Sequence, residues 1–299
     1  MAKHFAKIAV LGRPQDPRVT EPIAMLARHL TDAGREVLVA DDLPIDLPGT
    51  RVEEPGLAGR VELMIAVGGD GTMLYAAHLA MRENVPLLGI NRGRLGFLAD
   101  VTPDEMLASV DKVLAGDYSC DSRLLLQAKL ERPGSASRVG TALNDVVLQR
   151  RETGRMVDFE TLVNGDYVNT HSGDGLVVAT PTGSTAYSLS CGGPIIEPQL
   201  DAVVLVPVAP HTLSDRPIVI AARQTIEVRV LAREDTKAEI TVDGQPLGEI
   251  RPDDRLTIGA APQRMTLIHP PGYNYYGILR SKLYWGRDSR NRAGPPRTP

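Results

Sequence analysis

Up to about residue 120, short apolar blocks alternate with amphipathic stretches, the pattern of strands alternating with helices. The blocks 7–12 (KIAVLG), 36–40 (EVLVA), 63–67 (LMIAV) and 85–91 (VPLLGIN) are apolar almost throughout, as strands covered on both faces are. Between them, 21–34 (EPIAMLARHLTDAG) places Ile23, Leu26 and Leu30 on one helical face. Proline near its start and glycine at its end fit the usual helix asymmetry. A second helix is expected over 72–84 (TMLYAAHLAMREN). This alternation predicts an α/β N-terminal domain, doubly wound around a mainly parallel sheet.

Near residue 122 the period shortens to two. LLLQAKL sets Leu124, Leu126, Ala128 and Leu130 on one face, and TIEVRVLA does the same with Ile226, Val228 and Val230. Asn164-Gly165 and Asp243-Gly244 are strong hairpin turns. The second half is therefore predicted to be an all-β, sandwich-like C-terminal domain. The expected organisation is an α/β nucleotide-binding domain over 1–122 and a β-rich domain over 123–272. A segment over 273–286 is expected to pack back on the first domain, and a tail over 287–299, with almost no apolar residue, to be disordered.

Composition narrows the field. A net charge of −4 with mixed signs gives no basic footprint for nucleic acid, and 4% aromatic residues argue against single-strand stacking. No run approaches the ~20 apolar residues of a bilayer span, so no membrane association is expected. The N-terminus lacks a signal-peptide core, and the two cysteines, Cys120 and Cys191, have no metal-ligand spacing. A cytoplasmic location with reduced thiols follows as the expectation.

The candidate chemistry begins where an apolar strand runs into Gly68-Gly69-Asp70-Gly71-Thr72. Open α/β sheets bind ligands at the carboxyl ends of their strands. Glycines let the backbone approach a phosphate, and the following helix N-terminus offers N–H groups and partial positive charge. Thr72 can cap that helix. No Gly-Lys-Ser/Thr follows, and Leu74 replaces the third glycine of a dinucleotide fingerprint. Asp70 fits either a base taking a proton from an attacking hydroxyl or a metal ligand between phosphates. A plain tight turn, with the aspartate bonding its own backbone, is the simpler reading of Gly-Asp-Gly. A second stretch, SGDGLVVATPTGSTAYSLSCGGP over 172–194, is dense in hydroxyl and backbone donors for a sugar or phosphate ligand.

GGDGT, then GINRGRLGFLAD (89–100), LNDVVL (143–148), the 172–194 stretch, VPVAPHTLSDRPIV (206–219), VDGQ (242–245) and SKLYWG near the end together resemble the NAD kinase family of bacterial ATP-NAD kinases. GGDG alone is weak, because diacylglycerol-type lipid kinases and phosphofructokinases carry close relatives of it. PTGSTAYSLS is highly specific. The resemblance implies transfer of the ATP γ-phosphate to the 2′-hydroxyl of the adenosine ribose of NAD, giving NADP. Asp70 matches the family's proposed base, with Gly68, Gly69, Gly71 and Thr72 around it. Asn144 and Asp145 match a pair that holds NAD. Asp174, Thr182, Thr185, Ala186, Tyr187, Ser188 and Ser190 match the dinucleotide-site loop. Gln245 matches a polar contact, and Arg155 a basic one. Many members carry an arginine two places before the Asp-Gly of this loop. This chain reads His171-Ser172-Gly173-Asp174, and a protonated His171 could replace the missing cation in part. The implied cofactor is a divalent metal cation, Mg²⁺ carried with ATP. The implied partners are NAD and ATP as substrates, and further copies of the chain in a homodimer or homotetramer. A lipid or sugar kinase of the GGDG group, a non-catalytic nucleotide sensor and a Rossmann dehydrogenase are the weaker alternatives.

Overall fold

The computed structural model describes residues 5–12, 17–41, 43, 46–93, 96–151, 156–232 and 237–285. In chain order these form β1 (Lys7–Gly12), α1 (Pro17–Asp32), β2 (Glu36–Ala40), β3 (Thr50–Val52), β4 (Leu63–Gly68), α2 (Asp70–Ala80), β5 (Leu87–Asn91), α3 (Met106–Leu114) and β6 (Ser119–Arg123). Then follow β7 (Leu126–Glu131), β8 (Arg138–Ala142), β9 (Asp145–Arg150), β10 (Val157–Val163), β11 (Asp166–Gly173), β12 (Gly175–Ala179) and α4 (Tyr187–Ser190). Next are β13 (Ala202–Val208), β14 (Ile218–Ala221), β15 (Ile226–Val230), β16 (Ala238–Val242), β17 (Gln245–Ile250) and β18 (Arg255–Ala260). The chain closes with β19 (Met265–His269) and α5 (Tyr275–Leu283). It divides into two compact units, one ending at Asp121 and resuming at Thr266, the other spanning Ser122–Met265.

The first unit holds a seven-stranded sheet of order β3-β2-β1-β4-β5-β19-β6. Strands β1 to β5 pair in parallel, and β19 joins β5 in parallel with Leu267 opposite Leu87. Alternate strand residues (Ile8, Val10, Val37, Val39, Ile65, Val67) share one core with the apolar stripes of α1 and α3. On the opposite face, α2 is packed closely enough that a Cβ on Gly89 would lie 2.7 Å from Met73 Cε. Helices on both faces leave the strands no solvated side, hence their unbroken apolar runs. Helix α1 begins at Pro17, earlier than expected, and places Pro22 inside the helix. Two prolines five residues apart each imitate a helix start, and the apolar stripe used to locate it includes Val19 as well as Ile23. Strand β19 was not anticipated, because a short apolar run gives no hint of the sheet it joins. The boundary drawn from sequence at 272 lies past the point where the chain returns to the first unit. Residues 286–299, including the tail expected to be disordered, lie outside the described residues.

The second unit packs two six-stranded antiparallel sheets, β11-β10-β15-β18-β7-β8 and β14-β13-β12-β9-β16-β17. Inward residues of both (Leu124, Leu126, Ala128, Leu130, Leu148, Val178, Ile226, Val228, Ile240) form one core. Asn164 and Gly165 have φ of 53° and 88°, and Asp243 and Gly244 have 48° and 76°. Positive φ at both central residues is what a two-residue hairpin needs to match strand twist. Among the described residues, no helix is long and apolar enough to cross a membrane.

Candidate functional site

In the first unit, β4 delivers Gly68 and Gly69 to the start of α2. Gly68 cannot carry a side chain, since its Cβ would lie 2.3 Å from Thr72 Oγ1. The expected cap by Thr72 is not what forms. Gly69 is the N-cap with no side-chain cap bond, and Thr72 sits buried inside the first turn, its N–H bonded to Gly69 O at 2.9 Å. A helix that begins two residues earlier turns Thr72 from flank to interior. Nothing fills the space a Cβ would take at Gly69, and Gly71 is exposed.

The Asp70 carboxylate bonds to a segment distant in sequence. Its Oδ2 accepts the Phe97 N–H at 3.1 Å and its Oδ1 the Leu98 N–H at 3.0 Å. Gly96 makes this possible, because a Cβ there would stand 2.2 Å from Asp70 Oδ1. Two amides thus fix the carboxylate's rotamer while each oxygen keeps a lone pair.

In the second unit, Asp145 opens β9 and Asn144 directly precedes it. Asp243 holds the backbone beneath them. Its Oδ2 accepts the Leu143 N–H at 2.8 Å, and its Oδ1 accepts those of Asn144 at 2.8 Å and Asp145 at 3.1 Å. The loop after β12 closes on the same segment: Thr180 Oγ1 donates to Leu143 O at 2.6 Å, and Thr180 N–H to Asn144 O at 2.9 Å. Gly183 lies so close that a Cβ would be 2.1 Å from Asn144 O. Asp145 is 7% exposed. Burial, followed by repulsion from Asp243, pushes its carboxyl up to about 7. A carboxyl near neutrality in a polar recess is a functional-site signal.

Asp174, which follows β11, does find a cation, but not the one expected. Arg150, at the end of β9, bonds it through Nε at 2.7 Å and Nη2 at 3.3 Å. His171 instead meets Asp215, Nδ1 to Oδ2 at 3.0 Å, and stacks on Phe159 with ring centroids 4.9 Å apart. The reason is register. His171 pairs opposite Phe159 on β10, which directs its ring inward, whereas Gly175 pairs opposite Gln149 and brings Asp174 to Arg150. Arg150 and Asp174 border a cleft of about 180 Å³ with Val147, Gln149, Tyr187 and Val208. Tyr187 is half exposed there. Burial, then its bonded neighbour Cys191, then Asp174 and Asp145 raise its phenol above the ordinary range.

The remaining loop residues separate by facing. Ser190 is exposed, and Thr185 and Ala186 are half-buried. Thr182 and Ser188 are buried. The Thr182 hydroxyl accepts from the buried Arg123 guanidinium at 3.2 Å, so it serves packing within the unit. Gln245 is exposed at the start of β17, beside the Asp243-Gly244 turn. Arg155 lies outside the described residues. Asp70 belongs to the first unit, while Asn144, Asp145, Asp174 and the 182–190 loop belong to the second. Sequence reasoning missed Arg150, Gly96 and the carboxylate role of Asp243. Gly96 lay within GINRGRLGFLAD and Asp243 within VDGQ, whereas Arg150 carried no signal.

Among the described residues, no three His, Cys, Asp or Glu side chains gather as a metal site would require.

A glycine-rich strand-to-helix junction holding an oriented carboxylate, and a sandwich presenting an Asn-Asp pair beside an Arg-Asp cleft, define a phosphate-handling protein of two units. Family models agree. The ATP-NAD kinase N-terminal domain matches residues 8–118 and the ATP-NAD kinase C-terminal domain residues 143–270. The NAD kinase of Nitrosococcus oceani is 43% identical over 290 residues, covering 96% of this chain and 99% of that protein. The NAD kinase of Azotobacter vinelandii is 44% identical over 287 residues, covering 95% and 97%. Among solved structures, yeast NADH kinase complexed with NADH shares the fold, with a TM-score of 0.89 at 24% identity, covering 97% of this chain and 91% of that one. The NAD kinase from Archaeoglobus fulgidus in complex with ATP gives 0.72 at 26%, covering 92% and 99%. The chain belongs to the ATP-NAD kinase family, and it is a kinase.

Proposed function

We propose that the chain moves the γ-phosphate of ATP to the 2′-hydroxyl of the adenosine ribose of NAD, with Asp70 as the base. The observation that carries this reading is the Asp70 carboxylate, fixed by the Phe97 and Leu98 amides at the head of α2. Phosphoryl transfer asks for in-line positioning and charge neutralisation more than covalent help. Asp70 takes the hydroxyl proton as the ribose oxygen attacks phosphorus and ADP leaves. Gly68, Gly69 and Gly71 keep the approach to the phosphates open, assisted by the positive end of α2.

Asn144 and Asp145 clamp a ribose through their amide and carboxylate. Asp174, Thr185, Ala186, Tyr187 and Ser190 line the dinucleotide, Arg150 supplies the cation of that wall, and Gln245 and Arg155 add polar contacts. Thr72, Thr182 and Ser188 support from within. Mg²⁺ belongs to the substrate, MgATP. It binds readily through phosphates, retained waters and one or two carboxylates, and the donor set here suits that better than an all-protein cage. Location in the cytoplasm and assembly into a homodimer or homotetramer complete the reading.

The test is NADP formation from purified protein, MgATP and NAD, read with an NADP-specific dehydrogenase, beside Asp70→Asn. Product from the wild type and a loss of ~10²-fold or more in the variant are expected. Near-normal turnover by the variant would refute the base, and no product from the wild type would refute the reaction.

A further inference from the structure

The carboxylate of Asp70 is aimed by a turn distant in sequence, and that turn is itself held from the far end of the chain. The Gly96 N–H bonds to Ala99 O at 3.0 Å, which makes 96–99 a tight turn whose interior amides, Phe97 and Leu98, point at Asp70. The Phe97 ring is half-buried. Lys282, in the last turn of α5, places its Nζ 5.9 Å from that ring's centroid. A cation over a ring at this range is attracted by the ring's quadrupole. The ring and the amide hang from the same Cα, so a contact that holds the ring narrows the backbone excursions open to the Phe97 N–H. All of these residues lie in the first unit.

We propose that Lys282 is a positioning residue for the reaction, acting through Phe97 on the orientation of the Asp70 carboxylate. The inference rests on the reading of Asp70 as base. With Lys282 removed, the turn keeps its backbone bonds but samples orientations in which one amide leaves the carboxylate. The side chain then spends less time where a hydroxyl proton can be taken. Substrate contacts are untouched, so the effect falls on turnover and not on binding.

The experiment measures kcat and KM for NAD and ATP in wild type, Lys282→Met, Lys282→Arg, Asp70→Asn and the Asp70→Asn/Lys282→Met double variant. The amide proton shifts of Phe97 and Leu98 are recorded alongside. Lys282→Met should lower kcat about two- to fivefold, the size of one partly exposed cation–ring contact. KM should stay unchanged, Lys282→Arg should restore the rate, and Lys282→Met should cost nothing further in the Asp70→Asn background. The two amide resonances should move in Lys282→Met toward their positions in Asp70→Asn. An equal loss in both backgrounds, an effect confined to KM, or unmoved amide resonances would overturn the proposal. Failure of the base reading is distinct: Asp70→Asn alone then turns over normally. The amide shifts of Lys282→Met would still decide whether Lys282 aims the carboxylate.

Discussion

Asp145 titrates near neutrality, and this should make the grip on NAD depend on pH. Its carboxyl is 7% exposed and faces the Asp243 carboxylate, whose acceptor oxygens are already taken by three amides. Burial first and Asp243 second raise it from 3.8 to about 7. A carboxylate that clamps ribose hydroxyls accepts their protons only when ionised, so binding is weakened by the factor 1 + 10^(pKa − pH). That factor is about 1.1 at pH 8 and about 11 at pH 6, a weakening of roughly tenfold or about 1.4 kcal/mol. Calorimetric titration of NAD between pH 6 and 8 at constant ionic strength measures it directly. Asp145→Asn should bind with little pH dependence over this range. The sign for folding runs the other way. The native value lies above the unfolded one, so the protonated form is favoured by folding. This stabilisation is full below pH 3.8 and lost as pH rises through about 7. An affinity for NAD that is flat from pH 6 to 8 in the wild type, or an equal slope in Asp145→Asn, would refute the reasoning.

Asp243→Ala removes the acceptor of three backbone amides and should cost about 2–4 kcal/mol in urea denaturation, with a larger KM for NAD; a change within ~0.5 kcal/mol would show those amides satisfied by other means. His171→Ala should leave the acidic limb of the activity profile in place, because the ring bonds to Asp215 and not to Asp174. It should still lower the melting temperature through a broken buried pair, and a lost acidic limb would restore the role first expected of His171.

The class of each unit was legible because periodicity is a local property. Buried parallel strands read as apolar runs, sandwich strands as alternation, and both hairpins as Asn-Gly and Asp-Gly at positions that adopt positive φ. The glycine-rich junction was equally local. What lay hidden was the choice of distant partners. Nothing near Asp70 names the amides of residues 97 and 98, and nothing near LNDVVL names Asp243, about a hundred positions on. Nothing in the sequence marks Arg150 as the partner of Asp174, a pairing that the β9–β12 register brings about. His171 was misassigned for the same reason. Proximity in sequence to Asp174 suggested contact, and strand alternation sent the side chain elsewhere.

Both candidate sites rest on the same device. An aspartate at the edge of a glycine turn spends its carboxylate on backbone amides of another segment: Asp70 on 97 and 98, Asp243 on 143, 144 and 145. Hydrogen bonds to a charged acceptor are stronger than neutral ones and hold direction as well as distance. A loop held this way can present reactive side chains without a helix or strand to stiffen it. The cost is crowding, which is why glycine stands at 96 against Asp70 and at 183 against Asn144. The two aspartates differ in what faces outward. Asp243 supports the backbone of 143–145, and in the proposed reaction Asn144 and Asp145 meet the ligand. In the proposed reaction Asp70 is both held and reactive, its remaining lone pairs taking the proton. On that reading, residues that aim it from behind influence turnover even where they touch no substrate.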